Sequence, residues 1–388
     1  MSISLATNEE CIGCGVCSLV CNKKCIIMKE DKEGFLYPII DEQRCVGCKL
    51  CEKSCPIVSF KENKRLDEMS VYAAYSKDKN TRNTSSSGGI FSEIAINILN
   101  KNGVVFGATY DENYIVKHCY IENINELNKI CGAKYSLSDL NSSYEDVKRF
   151  LDKNRLVLFS GTPCQIAGLK SYLKIDYKNL LTIDCICHGI PSPLVWKKYV
   201  NYRSKIDNWG IPPIRINMRS KNTGWSRYNY SIDFYYSNDK KYSKVSSKDI
   251  YMNLFTRDYI NRKSCANCHF KGTNRFSDIT LGDFWGIWDV APYMDDDKGT
   301  SAVLVHTHYG SSILKEISSN LELKKVSLKE VSKYNPSLYF SSNCATDRSK
   351  IINKCIKGKF GSIEKHFNKQ KKRFKKRFFE MLRLLFRK

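Results

Sequence analysis

The chain has 388 residues and a formal net charge of +23, and its 42% hydrophobic and 12% aromatic content is typical of a folded protein. No long apolar run predicts a membrane span, and the first residues lack the basic and apolar regions of a signal peptide. Eighteen cysteines without an export signal favour metal binding in a reducing cytosol over a disulfide scaffold. No nucleic-acid-binding motif accompanies the positive charge. We therefore predict a cytoplasmic protein that does not bind nucleic acid.

Two cysteine quartets open the chain, in a region that we delimit as residues 1–60. Both have the spacing C-x2-C-x2-C-x3-C, and they comprise Cys11, Cys14, Cys17 and Cys21, then Cys45, Cys48, Cys51 and Cys55. In bacterial two-cluster ferredoxins the fourth cysteine of such a quartet binds the other [4Fe–4S] cluster. The pattern therefore predicts one cluster on Cys11, Cys14, Cys17 and Cys55 (the first site) and another on Cys45, Cys48, Cys51 and Cys21 (the second site).

A pair of zinc sites is the alternative, because C-x2-C pairs also bind zinc. Zinc does not need four cysteines at this spacing twice over, with Pro56 closing the second quartet. Asn22 departs from the pattern, since a proline usually follows the fourth cysteine. The additional Cys25 is predicted to be a small buried residue rather than a ligand.

After a charged linker at 61–69, strand and helix patterns alternate, which predicts a mixed α/β region. In chain order we predict a helix over 87–102, strands over 104–110 and 155–160, a helix over 164–173, a strand over 180–187, a helix after Pro193 and a β-hairpin over 228–242. Residues 300–362 have the pattern of a smaller α/β cap. The predicted fold class is α+β or α/β, with an N-terminal 2[4Fe–4S] ferredoxin-type domain, a mixed α/β flavin-binding domain and a basic C-terminal helix.

Four later cysteines stand at the ends of predicted elements, where ligands bind in parallel α/β sheets. They are Cys164, Cys187, Cys265 and Cys268, the last two in a C-x2-C pair. These thiols could close a third [4Fe–4S] site, and a zinc site or a reactive thiol is the alternative. Cys185 is left out, on the expectation that it faces the other side of the strand from Cys187.

Five motifs, in this order, resemble the coenzyme F420 hydrogenase/dehydrogenase beta-subunit family. They are SSSGGIFSEIA (85–95), GAKYSLSDL (132–140), FSGTPCQIAGLKSYL (159–173), DCICHGIPSPLVW (184–196) and CANCHFKGTNRFSDITLGDFWG (265–286). The resemblance implies an N-terminal-like region over 71–150 and a C-terminal-like region over 151–362. It also implies FAD and a [4Fe–4S] cluster on Cys164, Cys187, Cys265 and Cys268, in a protein that exchanges electrons with a hydride carrier or an organic acceptor.

The flavin-contact residues implied by the resemblance lie in two segments. They are Ser86, Ser87, Gly88, Gly89, Lys134, Tyr135 and Ser138. A serine- and glycine-rich turn before a helix suits a pyrophosphate, although such runs are usually ordinary loops and caps. Arg275, Asp278 and Asp283 are further candidate contacts. His188 either donates to the cluster or flavin region or is a structural histidine.

The last 26 residues, 363–388, form a basic tail. From residue 364 onward it holds eleven Lys or Arg and two Glu, with aromatic and leucine residues at helical spacing. A basic amphipathic helix favours an anionic membrane surface or an acidic partner, and a helix packed on its own domain is the alternative. This tail would add a peripheral association with the inner face of the membrane.

Taken together, the sequence predicts an iron–sulfur flavoprotein oxidoreductase. It would pass electrons through FAD between [4Fe–4S] clusters and a two-electron carrier or organic substrate, with a redox protein or hydride carrier as partner. The alternative is a non-enzymatic electron-transfer subunit that relays electrons to a catalytic partner. The catalytic residues and the substrate stay open, including whether coenzyme F420 is used.

Overall fold

The computed structural model describes residues 3–60, 69–140 and 142–369. The strands are β1 Ile26–Glu30, β2 Leu36–Ile40, β3 Ser70–Ser76, β4 Val104–Tyr110, β5 Val116–Ile121, β6 Val157–Ser160, β7 Leu180–Cys185, β8 Arg215–Ser220, β9 Ser231–Tyr235, β10 Lys241–Val245, β11 Ile279–Asp283, β12 Ser301–Val305 and β13 Leu321–Lys325. The α-helices are α1 Val16–Leu19, α2 Leu50–Lys53, α3 Lys79–Thr84, α4 Ile90–Asn100, α5 Leu127–Ile130, α6 Ser143–Asp152, α7 Pro163–Leu173, α8 Pro193–Asn208, α9 Ile250–Thr256, α10 Ile287–Val290, α11 His308–Glu316, α12 Leu328–Lys333 and α13 Arg348–Ile356, and residues 360–369 are helical as well.

The cysteine-rich region is a small unit built on one antiparallel hairpin, β1–β2. The short helices α1 and α2 begin inside the first and second quartets. Gly15 precedes α1 with a φ of 75°, and Lys49 precedes α2 with a φ of 59°. The left-handed conformation before each helix lets the chain turn sharply between cysteines, and glycine adopts it at little cost.

The centre of the molecule is an eight-stranded mixed sheet with the order β13-β3-β12-β11-β7-β6-β4-β5. β4, β6, β7 and β11 are mutually parallel, and the outer strands join them antiparallel. Alternate residues of β6 enter different cores: Leu158 packs with α4, whereas Val157 and Phe159 pack with α6 and α7. The sheet is therefore covered by helices on both faces, as a parallel α/β core requires.

A second layer packs against the turn end of the β4–β5 hairpin, where Tyr110 and Val116 join its core. The antiparallel strands β8, β9 and β10 pack with α8, α9 and α13 around an aromatic core that includes Trp196, Tyr199, Phe234 and Phe360. β9 and β10 are the hairpin predicted over 228–242, shifted toward the C-terminus. Helix α8 begins at Pro193, as predicted, with Ser192 as its N-cap.

The structure corrects three boundaries. The strand predicted over 180–187 ends at Cys185. Residues 300–362 do not form a separate cap, because β12 lies inside the large sheet between β3 and β11, and β13 extends the same sheet. The basic tail was assigned to begin at residue 363, but Ile363 and Phe367 are buried in the aromatic core. The rest of that tail, residues 370–388, lies outside the described residues.

The cysteine-rich unit packs firmly against the sheet domain. Gly34, in the β1–β2 turn, abuts α8 so closely that a Cβ at this position would lie 2.4 Å from the Cβ of Leu194. Beside it, Arg348 of α13 makes a two-pronged ion pair with Glu33, with N–O distances of 3.0 and 2.7 Å, and both side chains are buried. The helices within the described ranges include none long and apolar enough to cross a membrane.

Candidate iron–sulfur and cofactor sites

The first site is assembled by residues from both quartets. One small pocket is lined by all four of its assigned thiols, those of Cys11, Cys14, Cys17 and Cys55. Burial, with the neighbouring thiols of the set, raises the pKa of Cys17 to about 12. Buried, crowded thiols become thiolates only when a cation balances their charge, which is what an iron–sulfur cluster supplies. The donor set therefore fits a [4Fe–4S] cluster.

The second site lies next to the first, at the outer end of the same unit. Cys21, Cys45 and Cys51 pack together there, while Cys48 is exposed to solvent. Cys25 is buried as predicted, but its thiol lies 3.3 Å from the thiol of Cys21. Nothing in the cysteine spacing predicts this contact. It places a fifth thiol directly against the assigned ligands.

The third set is brought together from three separate segments. Cys164 is in the first turn of α7, Cys187 follows β7, and Cys265 and Cys268 lie in a turn before β11. Burial raises the pKa of Cys265 well above its ordinary value, and the neighbouring thiols of Cys187 and Cys164 add to the effect. The amide of Ile190 points at the Cys265 sulfur, with an N–S distance of 3.3 Å. This arrangement fits a buried cluster with an amide donor to one of its ligands.

The prediction that Cys185 faces the opposite side of the strand from Cys187 is wrong. Residues two apart on a strand point to the same side. In the structure the thiols of Cys185 and Cys187 are hydrogen-bonded, and this contact, ahead of burial, raises the pKa of Cys185. Cys185 is thus a neighbour of the third set rather than a residue on the far face of the sheet.

All of the cysteines in the described residues are free thiols. No three His, Cys, Asp or Glu side chains of the described ranges converge as the ligands of a single metal ion would.

A cavity of about 920 Å³ opens at the carboxyl edge of the parallel strands. It is lined by Gly161 after β6, by Cys185 at the end of β7 with Cys187 just beyond it, and by Asp283 at the end of β11. Ligands bind at this edge of parallel α/β sheets because the strand ends and the helix N-termini converge there. Both segments predicted to contact a flavin reach this cavity.

Six of the seven predicted flavin-contact residues line the cavity: Ser86, Ser87, Gly89, Lys134, Tyr135 and Ser138. Gly88 is not among the residues that line the cavity. Its amide donates to Ser301 Oγ at 2.9 Å, and a Cβ there would lie 2.4 Å from the carbonyl oxygen of Ala74. Gly88 is therefore needed for close packing between the loop and β3.

The serine hydroxyls of this loop each make one hydrogen bond within the protein. Ser86 Oγ accepts a hydrogen bond from the amide of Ala133, and Ser87 Oγ donates to the carbonyl of Thr300. The loop leads into the start of α4, where Gly89 has a φ of 89°. Backbone amides in the first turn of a helix favour anionic groups.

Lys134 and Ser138 give the cavity its polar wall. Lys134 Nζ donates to the carbonyls of Cys131 and Gly132, and burial lowers the pKa of Lys134 to about 8. Ser138 Oγ lies 2.9 Å from His118 Nδ1 and accepts a hydrogen bond from Gln165. Burial also lowers the pKa of His118 to about 4, so this histidine is neutral near pH 7.

Several functional candidates had no recognisable sequence signal. Arg219 of β8 lines the cavity and pairs with Asp283 at 3.0 Å. Lys221 Nζ donates to the carbonyls of Ser87 and Arg82, and burial lowers the pKa of Lys221 to about 7.

The remaining candidates have internal partners. Asp278 accepts hydrogen bonds from the amide and hydroxyl of Thr182, and Arg275 lies 3.6 Å from Asp184. His188 lines the cavity, but its Nε2 lies 2.9 Å from Asp258 and its ring meets the edge of Phe255. These contacts are those expected of a histidine with a structural role, which is the alternative given above for His188.

Comparison with known proteins agrees with the class that the fold and the cysteines define, an iron–sulfur electron-transfer protein. A 4Fe-4S dicluster domain matches residues 10–58. The N-terminal region of the coenzyme F420 hydrogenase/dehydrogenase beta subunit matches residues 71–145, and its C-terminal region matches residues 154–331. The chain belongs to this beta-subunit family of oxidoreductase components, with a dicluster ferredoxin domain at its N-terminus.

Two relatives come from Methanocaldococcus jannaschii. The coenzyme F420-dependent sulfite reductase is 26% identical over 192 residues, which are 49% of this chain and 29% of that protein. An uncharacterized ferredoxin is 35% identical over 68 residues, 16% of this chain and 87% of the ferredoxin. The chain thus spans less than a third of the reductase. A chain of the F420-reducing [NiFe] hydrogenase complex from Methanosarcina barkeri aligns with a TM-score of 0.47 at 17% identity, covering 76% of this chain and 91% of that one.

Proposed function

We propose that this protein is an FAD-containing iron–sulfur oxidoreductase that passes electrons between a two-electron carrier or organic substrate and three [4Fe–4S] clusters. One observation carries the proposal: a single large cavity is lined both by the serine–glycine loop before α4 and by Cys187 of the third cysteine set with its neighbour Cys185. A cofactor in that cavity would sit directly beside a cluster on that set. Flavin exchanges electrons in pairs and clusters exchange them singly, so this placement would join the two kinds of chemistry.

The cavity residues fit a large anionic cofactor. The start of α4 and the Lys134 ammonium offer positive potential toward phosphate groups or a reduced ring. Ser136 also belongs to the cavity wall, and its Oγ is buried without a hydrogen-bond partner among the described residues.

The three cysteine sets follow one another across the molecule. Helix α7 carries Cys164 in its first turn and Gly168 one turn later, and a Cβ at Gly168 would lie 2.9 Å from Cys14 Cβ. The first site is thus in van der Waals reach of the helix that bears the third set. Cys51 of the second site is close enough to Cys17 of the first to contribute to the raised pKa of Cys17, and Cys48 of the second site is exposed. The residues therefore provide a continuous series of cluster sites from the cavity to the surface.

The test is the cofactor content of anaerobically purified protein. We expect about twelve iron atoms per chain, four for each cluster, and FAD in an acid extract. Lys134→Met should weaken FAD binding by roughly tenfold or more, because a charge-assisted contact is lost. Lys129→Met removes an exposed lysine from the neighbouring helix and should leave FAD affinity unchanged. Iron without FAD, even after reconstitution, would refute the flavin and leave an electron-relay subunit.

A further inference from the structure

Arg262 belongs to the sheet domain, but its guanidinium lies inside the ferredoxin domain. Arg262 is three residues before Cys265 of the third set, and only 1% of it is exposed. Its Nε donates to the carbonyl of Cys11 at 2.7 Å, and its Nη2 donates to the carbonyl of Leu36 at 2.8 Å. The face of the guanidinium lies over the ring of Tyr37, with 4.2 Å from the central carbon to the ring centre. One arginine thus connects the third cysteine set to the cysteine loop of the first site, at Cys11.

The third nitrogen of the guanidinium points to the cysteine loop of the first site. A Cβ on Gly13 would lie 2.8 Å from Arg262 Nη1, so only glycine leaves room for the guanidinium between Cys11 and Cys14. Nη1 is buried and has no hydrogen-bond partner among the described residues. The nearby carboxylate of Glu33 is already paired with Arg348.

A buried cation without a carboxylate partner is costly unless another negative charge lies close to it. Four thiolates and the sulfides of a cluster would provide that charge, and reduction adds one more electron to it. Charge and hydrogen bonds around a cluster set its reduction potential. A fixed positive charge stabilises the reduced form and so raises the potential.

We propose that Arg262 is a positioning residue that raises the reduction potential of a cluster on Cys11, Cys14, Cys17 and Cys55 while it fixes that site against the third set. This rests on the proposed assignment of that cluster. The proposed role is a one-electron effect: the cluster gains an electron, and Arg262 supplies neither an electron nor a proton.

The test is an anaerobic redox titration of the full-length protein followed by electron paramagnetic resonance. In Arg262→Gln, one ferredoxin-type signal should move to a more negative potential, by about tenfold or more in its reduction equilibrium, or ~59 mV for one electron. Arg262→Lys keeps the positive charge, so its reduction potential should stay closer to that of the wild type. Lys263→Gln removes the adjacent, exposed charge that pairs with Glu9, and it should not move the potential.

Retained clusters with an unchanged potential in Arg262→Gln would overturn the proposal. If the glutamine variant loses the cluster, Arg262→Lys decides: a potential near that of the wild type supports the charge effect, and a tenfold change in the equilibrium refutes it. A wild-type protein without two ferredoxin-type signals would instead refute the cluster assignment itself, so the two failures are distinguishable.

Discussion

The buried ion pair between Glu33 and Arg348 should dominate the attachment of the ferredoxin domain to the sheet domain. Its side chains are 9% and 5% exposed, and Arg348 also donates to the carbonyl of Asn261. Arg348→Met would leave the Glu33 carboxylate buried without a counter-charge. Removing one partner of a buried pair typically costs about 3–5 kcal/mol.

The double variant Glu33→Gln/Arg348→Met removes both charges and should recover much of the loss, because a neutral buried pair no longer has an uncompensated ion. Lys148→Met is the control, since Lys148 and Asp152 form an exposed ion pair with side chains 45% and 47% exposed. The control substitution should lower the free energy of unfolding by no more than about 0.5 kcal/mol.

The assay is anaerobic urea unfolding, followed separately by cluster absorbance and by tryptophan fluorescence. Trp196 lies in the sheet domain. Two of the three proposed clusters lie in the ferredoxin domain, so cluster absorbance reports mainly on that domain. Arg348→Met should lower the urea midpoint for cluster loss clearly more than the control does. An equal, small effect of both variants would refute the view that this pair holds the domains together.

Three further predictions concern the third cluster, pH and the tail. Cys164→Ser should remove about four iron atoms per chain, whereas the exposed Cys344→Ser should remove none, and unchanged iron in Cys164→Ser would take Cys164 off the ligand set. Burial lowers the pKa of His118 to about 4, below its unfolded value of about 6.5, so the unfolded chain binds more protons between these values and stability should fall as pH drops through this window. His118→Gln should flatten this dependence in urea midpoints, and an unaltered pH profile would contradict the assignment. Deleting residues 370–388 should abolish binding to anionic liposomes if the tail binds membranes, and this cut spares the buried Ile363 and Phe367; persistent binding would exclude the tail.

The sequence by itself determined the local features. The spacing of the two quartets specifies ferredoxin-type cluster sites, because each loop must present three thiolates within seven residues. The strand over 104–110 and the helix that ends at Leu173 can be predicted from the sequence, because apolar runs and periodicity are local properties. The positions of four later cysteines at the ends of predicted elements indicate a third ligand set, and the structure brings these cysteines together.

Tertiary structure alone decided how these parts meet. β12 enters the middle of the large sheet from a region that had the pattern of a separate cap, because strand order depends on pairing between distant residues. The serine loop lines the cavity while two of its hydroxyls bond to Ala133 and Thr300, which are distant in the sequence. The nearness of Arg262 to the Cys11–Cys14 loop joins residues about 250 positions apart, and it arises from the packing of two domains, a surface match that no local pattern encodes.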